Sequence, residues 1–288
     1  MGGAAPAASA AAPAQRKPAD EIDYVISGDD IQLVEIELDP GESVLAEAGA
    51  MSWMEADIKM DTIFGDGSGQ DAGKGLMGKL ASAGKRVLTG ESLFMTVFTN
   101  AGSGKTHVTF AAPYPGKIIP VDLKDYDQTL ICQKDAFLCA AKGVSIGIYL
   151  QKKIGAGFFG GEGFIMQKLD GDGMVFLHAG GVIVKRELAA GEMLRMDTGC
   201  LVAMTSTIDY DVAFASDLKS GIFGGEGLFL ATLKGPGQVW MQSLPFSRMA
   251  DRIISAGRGH TEDNKGFNNP INEVTGGLGG ALGGLFGR

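Results

Sequence analysis

Gly102-Ser103-Gly104-Lys105-Thr106 invites phosphate chemistry, because a P-loop wraps phosphate oxygens in backbone N–H groups and adds one lysine. The match stops there. Position 99 holds Thr99 where the loop's first glycine belongs, and β-type sequence follows where the chemistry needs a helix N-terminus. A hairpin turn is the expectation. Glu91, Glu162 and Glu226 follow glycines in three similar motifs, and as a ring three carboxylates would suit a hard cation. The expected role is structural, each carboxylate accepting bonds from the glycine amides of its own turn. His107, His178 and His260 are too few and too scattered for the several-histidine metal site of a catalytic β-fold, and His178 is expected to be structural or at the surface. Asp170-Gly171-Asp172-Gly173 lacks the further acids of a calcium loop and reads as a turn. Catalytic, cofactor-binding and metal-ligating residues are therefore assigned to none of these groups.

The elements around them are written three times. Gly224-Gly225-Glu226-Gly227-Leu228-Phe229-Leu230 repeats Gly160-Gly161-Glu162-Gly163-Phe164-Ile165-Met166 and, more loosely, Thr89-Gly90-Glu91-Ser92-Leu93-Phe94-Met95. Each copy runs through an apolar segment into a glycine-framed turn, and each is preceded by a front marker: Gly41-Glu42, Asp127-Gln128 or Gly191-Glu192. From Asp127 to Gly161 and from Gly191 to Gly225 the step is 34 residues, whereas from Gly41 to Gly90 it is 49. The surplus falls in a Gly/Lys-rich insertion at residues 64–88. A recurring supersecondary unit is the first thing such a period implies. Short alternating runs between Gly, Pro and Asp turns make each unit β-structure, in a sandwich or barrel. Two opening strands are expected between Ile22 and Leu38 with Gly28-Asp29-Asp30 turning between them, and a short closing helix or turn from Met249 to Ser255.

Composition agrees with a folded core. The 288 residues are 45% hydrophobic and 20% charged, and 45 glycines, about twice the usual share, fit many tight turns. A net charge of −9 opposes a nucleic-acid backbone as the main partner. Cys132, Cys139 and Cys200 have no metal or redox spacing and are expected as reduced, buried small hydrophobes. No window has the 18 apolar residues of a spanning helix, and the Ala/Pro-rich start has no apolar signal region.

The domain organisation expected is a disordered tail at 1–20, a β-domain at 21–255 with units near 39–123, 124–188 and 189–255, and a Gly-rich flexible tail at 256–288. In that last segment Ile271, Val274, Leu278, Leu282, Leu285 and Phe286 have helical spacing. The seven glycines among them and the residues that follow cost roughly 6–7 kcal/mol in a helix, so it is expected to be disordered when free.

One pattern carries an interaction hypothesis. Before each Gly-Glu motif lies a basic-then-apolar segment: Lys85, Arg86 and Leu88; Lys152 and Lys153 leading to Phe158 and Phe159; Lys219 leading to Ile222 and Phe223. Units related by rotation would gather these into an apolar patch with a basic rim, the mark of a protein or membrane contact; the other reading is that the aromatics fold inward as core.

Taken together, the GGEGF and GGEGL copies, the segment LDGDGMVFLHAGG and the opening EIELDPGESVLAEAGAMSWM resemble the AIM24 family over about Ile22 to Ile254. The resemblance implies a TRAP-like β-fold, a shortened double-stranded β-helix repeated within the chain. TRAP binds RNA, but kinship of fold does not transfer function. The expectation is an all-β, internally threefold-repeated, non-catalytic binding or scaffold protein with no cofactor. Its partner would be a protein or an anionic membrane surface, with homo-oligomerisation open. It would be cytoplasmic or peripherally membrane-bound, or mitochondrial in a eukaryote. A small-ligand or enzymatic pocket is the alternative, and RNA binding by fold analogy the weaker one.

Overall fold

A computed structural model describes residues 18–47, 49–64, 94–149, 165–214 and 229–259. Two units divide the chain, Met1–Phe246 and Ser247–Arg288. The first is built from antiparallel strands, and alternation decides why. In β2 (Leu33–Leu38) Val34, Ile36 and Leu38 are buried while the residues between them are not, the period-2 pattern of a strand with one face on the core. β1 (Asp23–Ser27) pairs with it across the expected turn at Gly28, whose φ is +95°.

The same six-strand pairing then occurs three times. β2 is followed by β3 (Ser43–Glu47), β4 (Met51–Met54), β5 (Ile58–Phe64), β6 (Phe94–Asn100) and β7 (Thr106–Ala111). The next six are β8 (Lys117–Asp122), β9 (Thr129–Gln133), β10 (Phe137–Ala141), β11 (Ser145–Tyr149), β12 (Met166–Asp170) and β13 (Met174–Ala179). The last six are β14 (Ile183–Leu188), β15 (Met193–Asp197), β16 (Leu201–Thr205), β17 (Asp209–Phe214), β18 (Phe229–Lys234) and β19 (Gly237–Gln242). Within every set the first and third strands flank the sixth, and the second and fourth flank the fifth. Counted this way a unit starts one strand before the boundaries at 39, 124 and 189.

The front markers show why those residue types recur. Gly41, Asp127 and Gly191 have φ of 90°, 52° and 80°, the left-handed region that glycine enters freely and Asp tolerates. The next residue in each case, Glu42, Gln128 or Glu192, accepts a backbone bond from Asn100, Gly171 or Gly235 at 2.9–3.0 Å. Front marker and glycine turn are thus tied together in all three sets. In the first and last, the Glu42 and Glu192 carboxylates also accept the N–H of Asp39 and Ala189.

Adjacent sets join by one strand each: β3 with β10, and β9 with β16. Both junctions lie in the core. All five residues of β10 are buried, as a central strand covered on both faces requires. Leu45, Leu130, Val202 and Trp240, drawn from all three sets, share one apolar cluster. Phe98 and Phe110 meet edge-to-face at 5.2 Å in a second cluster, and Tyr210, Leu233 and Val239 belong to a third.

Two expectations change. Gly102–Thr106 joins β6 to β7, which belong to different sheets, so it is a crossing rather than a hairpin turn. Asn100 shapes it by donating to the carbonyls of Leu38 and Gly104 and accepting the Gly102 N–H. Ala19 and Asp20, assigned to the tail, are tied down: the Ala19 N–H donates to Asp172, the Asp20 N–H to the Lys142 carbonyl, and the Asp20 carboxylate accepts the Ser43 N–H. The rest of both predicted tails, 1–17 and 260–288, lies outside the described residues, as does the insertion from residue 65 onward. The closing helix is present as α1 (Phe246–Gly259), longer at both ends than expected, so residues 256–259 of the predicted C-terminal tail belong to it. Among the described residues no helix is long and apolar enough to cross a membrane.

Candidate functional site

The interaction residues Lys85, Arg86, Leu88, Lys152, Lys153, Phe158, Phe159, Lys219, Ile222 and Phe223 lie outside the described residues, together with Glu91, Glu162 and Glu226. Their roots are described. Phe64 and Phe94, Tyr149 and Met166, and Phe214 and Phe229 are cross-strand partners at the ends of β5/β6, β11/β12 and β17/β18. Each basic segment with its Gly-Glu motif thus connects the fourth and fifth strands of its set, from equivalent places.

Lys105, the lysine of the P-loop-like stretch, stands just before β7 and is ion-paired with Glu37 of β2. Glu37 also lies 3.3 Å from His107 Nε2, and Glu55 lies 3.4 Å from His107 Nδ1 while accepting the Thr106 hydroxyl and the His107 N–H. Lys105 lowers the Glu37 pKa by its hydrogen bond. Burial opposes charge on His107, yet Glu55, Glu37 and Glu35 together outweigh it and raise the pKa. The cations and anions of this cluster satisfy one another, so it is a cross-strand network. No group of three or more His, Cys, Asp or Glu among the described residues has metal-binding placement.

His178 is 2% exposed and rests edge-on against Tyr114 at 4.6 Å, with Tyr114 beside Phe246 at 5.0 Å. Burial lowers its pKa to about 4 and raises that of Tyr114 to about 12. Gly116 makes room for it, since a Cβ there would stand 2.5 Å from the imidazole. It is a core histidine. Cys132 and Cys139 are free and buried, with burial pushing both thiols up, while Cys200 is half-buried. Asp170 accepts the Thr129 hydroxyl and pairs with Lys168 at 2.9 Å, and Asp172 accepts the Ala19 N–H, so these carboxylates tie the turn's flanks to β9, β12 and the N-terminal segment.

Two features had no counterpart in the sequence reading. Lys185 Nζ stands 4.8 Å over Trp240 and 5.2 Å over Tyr126, and donates to the Tyr126 hydroxyl at 2.9 Å. The second is a pair of sheet edges, β4 and β15, whose apolar side chains face solvent: Trp53 is 52% and Met193 63% exposed.

A family model described as "Mitochondrial biogenesis AIM24" matches residues 24–244, the whole run from β1 past β19. The chain belongs to the AIM24 family. An AIM24 relative, an uncharacterised protein of Streptococcus pyogenes serotype M6, is 32% identical over 225 residues, covering 77% of this chain and 85% of its own. A crystal structure of a Streptococcus pyogenes protein, solved by a structural-genomics consortium, matches with a TM-score of 0.63 at 25% identity, covering 82% of this chain and all of that one. It shares the all-β architecture.

Proposed function

We propose that this AIM24-family chain is a non-catalytic binding platform that attaches to an anionic membrane surface through its three basic and apolar segments. The observation that supports the reading is the equivalence of their roots: all three connect the fourth and fifth strands of a six-strand set, at residue pairs in matching register. One segment of this kind is a weak ligand. Three on one scaffold bind as a unit, because the second and third contacts become intramolecular. The chain's net charge of −9 repels an anionic bilayer except where basic residues cluster, so these segments also set the orientation of approach.

Sedimentation of the full chain with vesicles of phosphatidylserine and phosphatidylcholine tests the reading. Binding is expected to require the anionic lipid and to weaken as salt rises. Replacing Lys85, Arg86, Lys152, Lys153 and Lys219 by Gln should abolish it, since each engaged basic residue contributes about 1 kcal/mol, roughly fivefold in affinity. Binding unchanged by the five substitutions, or absent from anionic vesicles altogether, refutes the proposal.

A further inference from the structure

The sequence of α1 sorts into two faces. Phe246, Met249, Ala250, Ile253 and Gly257 recur at steps of three and four and share one of them, with Ile254 at its margin, while Arg248, Asp251, Arg252 and Ser255 take the other. A helix that packed such an apolar face on its own protein would bury it. In α1 the face stays open to solvent: Ile253 is 64% exposed, Ile254 51% and Phe246 47%.

The surface from which α1 departs is apolar too. The Ser243 N–H donates to the Val182 carbonyl at 3.1 Å and the Leu244 N–H to the Gly180 carbonyl at 3.2 Å, which sets Val182 and Leu244 side by side just ahead of the helix. Both are exposed, and Phe246, the first residue of α1, stands against Tyr114 at 5.0 Å. Charge adds a second, independent indication. Along α1, Arg248, Arg252 and Arg258 meet the single acid Asp251, which makes the helix +2 in a chain of −9. A basic helix with one broad apolar face is the composition that lies in the plane of an anionic bilayer interface. Its 14 residues reach about 21 Å along the axis, too short to span the hydrocarbon core.

We propose that α1 is an interfacial anchor, whose Phe246, Ile253 and Ile254 face sinks about 5–10 Å into the boundary between headgroups and acyl chains of an anionic membrane. The arginines of the helix remain at headgroup level, where each basic residue is attracted to the lipid phosphates. A protein groove could also take the apolar face, but an excess of arginine confined to one helix of an acidic chain selects an anionic surface. The inference deepens the membrane reading and rests on it for the surface: the three basic segments bring the chain to the bilayer, and α1 holds it there by burial. With the five basic residues of those segments replaced by Gln the chain is more acidic still, and α1 alone is not expected to keep it bound.

Full-length Ile253→Ser/Ile254→Ser removes the apolar contact at almost no cost in helix propensity. In sedimentation with vesicles of phosphatidylserine and phosphatidylcholine it should bind about tenfold or more weakly than wild type, whereas Ser255→Gln on the polar face should bind as wild type does. Unchanged binding of the serine pair, or an equal loss with Ser255→Gln, overturns the proposal. A second readout follows the face itself. Ile253→Trp, measured over the baseline set by Trp53 and Trp240, should be quenched on vesicles whose upper acyl chains are brominated and not on the unbrominated ones. No quenching in vesicle-bound protein overturns the proposal and leaves the face to a protein partner. The two membrane readings fail separately. A five-Gln chain that stays unbound beside a serine pair that binds fully keeps the segments and overturns the anchor; a five-Gln chain that binds beside a serine pair that does not refutes the segments and keeps the anchor.

Discussion

Replacing His178 by Leu should change how stability responds to acid. In the fold the imidazole is 2% exposed, packed on Tyr114, and its pKa drops from 6.5 to about 4 because burial disfavours the charged ring. The unfolded chain takes up a proton as pH falls through about 6.5, and the folded chain does not until about pH 4. The unfolded state binds more protons across that window, so the His178 contribution is complete above pH 6.5 and declines steadily down to pH 4. The full loss is at most about 3 kcal/mol, at 1.36 kcal/mol per pH unit. His107 acts with the opposite sign: its pKa is raised, so what it contributes is present below 6.5 and lost as pH rises through the folded value. Comparing wild type with His178→Leu cancels His107 and every carboxylate, since those groups are common to both. Urea unfolding at pH 7.5 and pH 4.5 measures the difference at each pH. The variant should gain on wild type by about 2–3 kcal/mol between the two. A difference that does not change with pH refutes the buried neutral histidine.

Three further outcomes follow from the packing. Phe98→Ala removes a ring that is 1% exposed and edge-on to Phe110, and should cost about 3–5 kcal/mol in chemical unfolding. Gly116→Ala places a methyl 2.4 Å from the Ala179 carbonyl and 2.5 Å from the His178 ring, so it should destabilise by about 1–3 kcal/mol and shift the Tyr114 and His178 ring resonances in NMR spectra. Lys185→Ala deletes the cation over Trp240 and Tyr126 at an exposed position; about 0.5–1 kcal/mol is expected, with a change in Trp240 fluorescence that Lys185→Arg largely restores.

What could be read from the chain without its structure was local. Gly28-Asp29-Asp30 turns between β1 and β2, alternation gives β2, and the front markers fall on left-handed turns because glycine and aspartate tolerate that backbone. What could not be read was which strand pairs with which. Gly102–Thr106 has the composition of a hairpin turn, yet β6 goes on to pair with β3 and β5 while β7 pairs with β2 and β4, and no residue in the turn encodes those distant choices. Lys185, Tyr126 and Trp240 meet for the same reason. They stand 55 or more residues apart and join only when β14 is laid beside β19 and the turn after β8 folds over them. The exposed edge β4 was hidden likewise, because Met51-Ser52-Trp53-Met54 resembles its buried counterparts in β10 and β16.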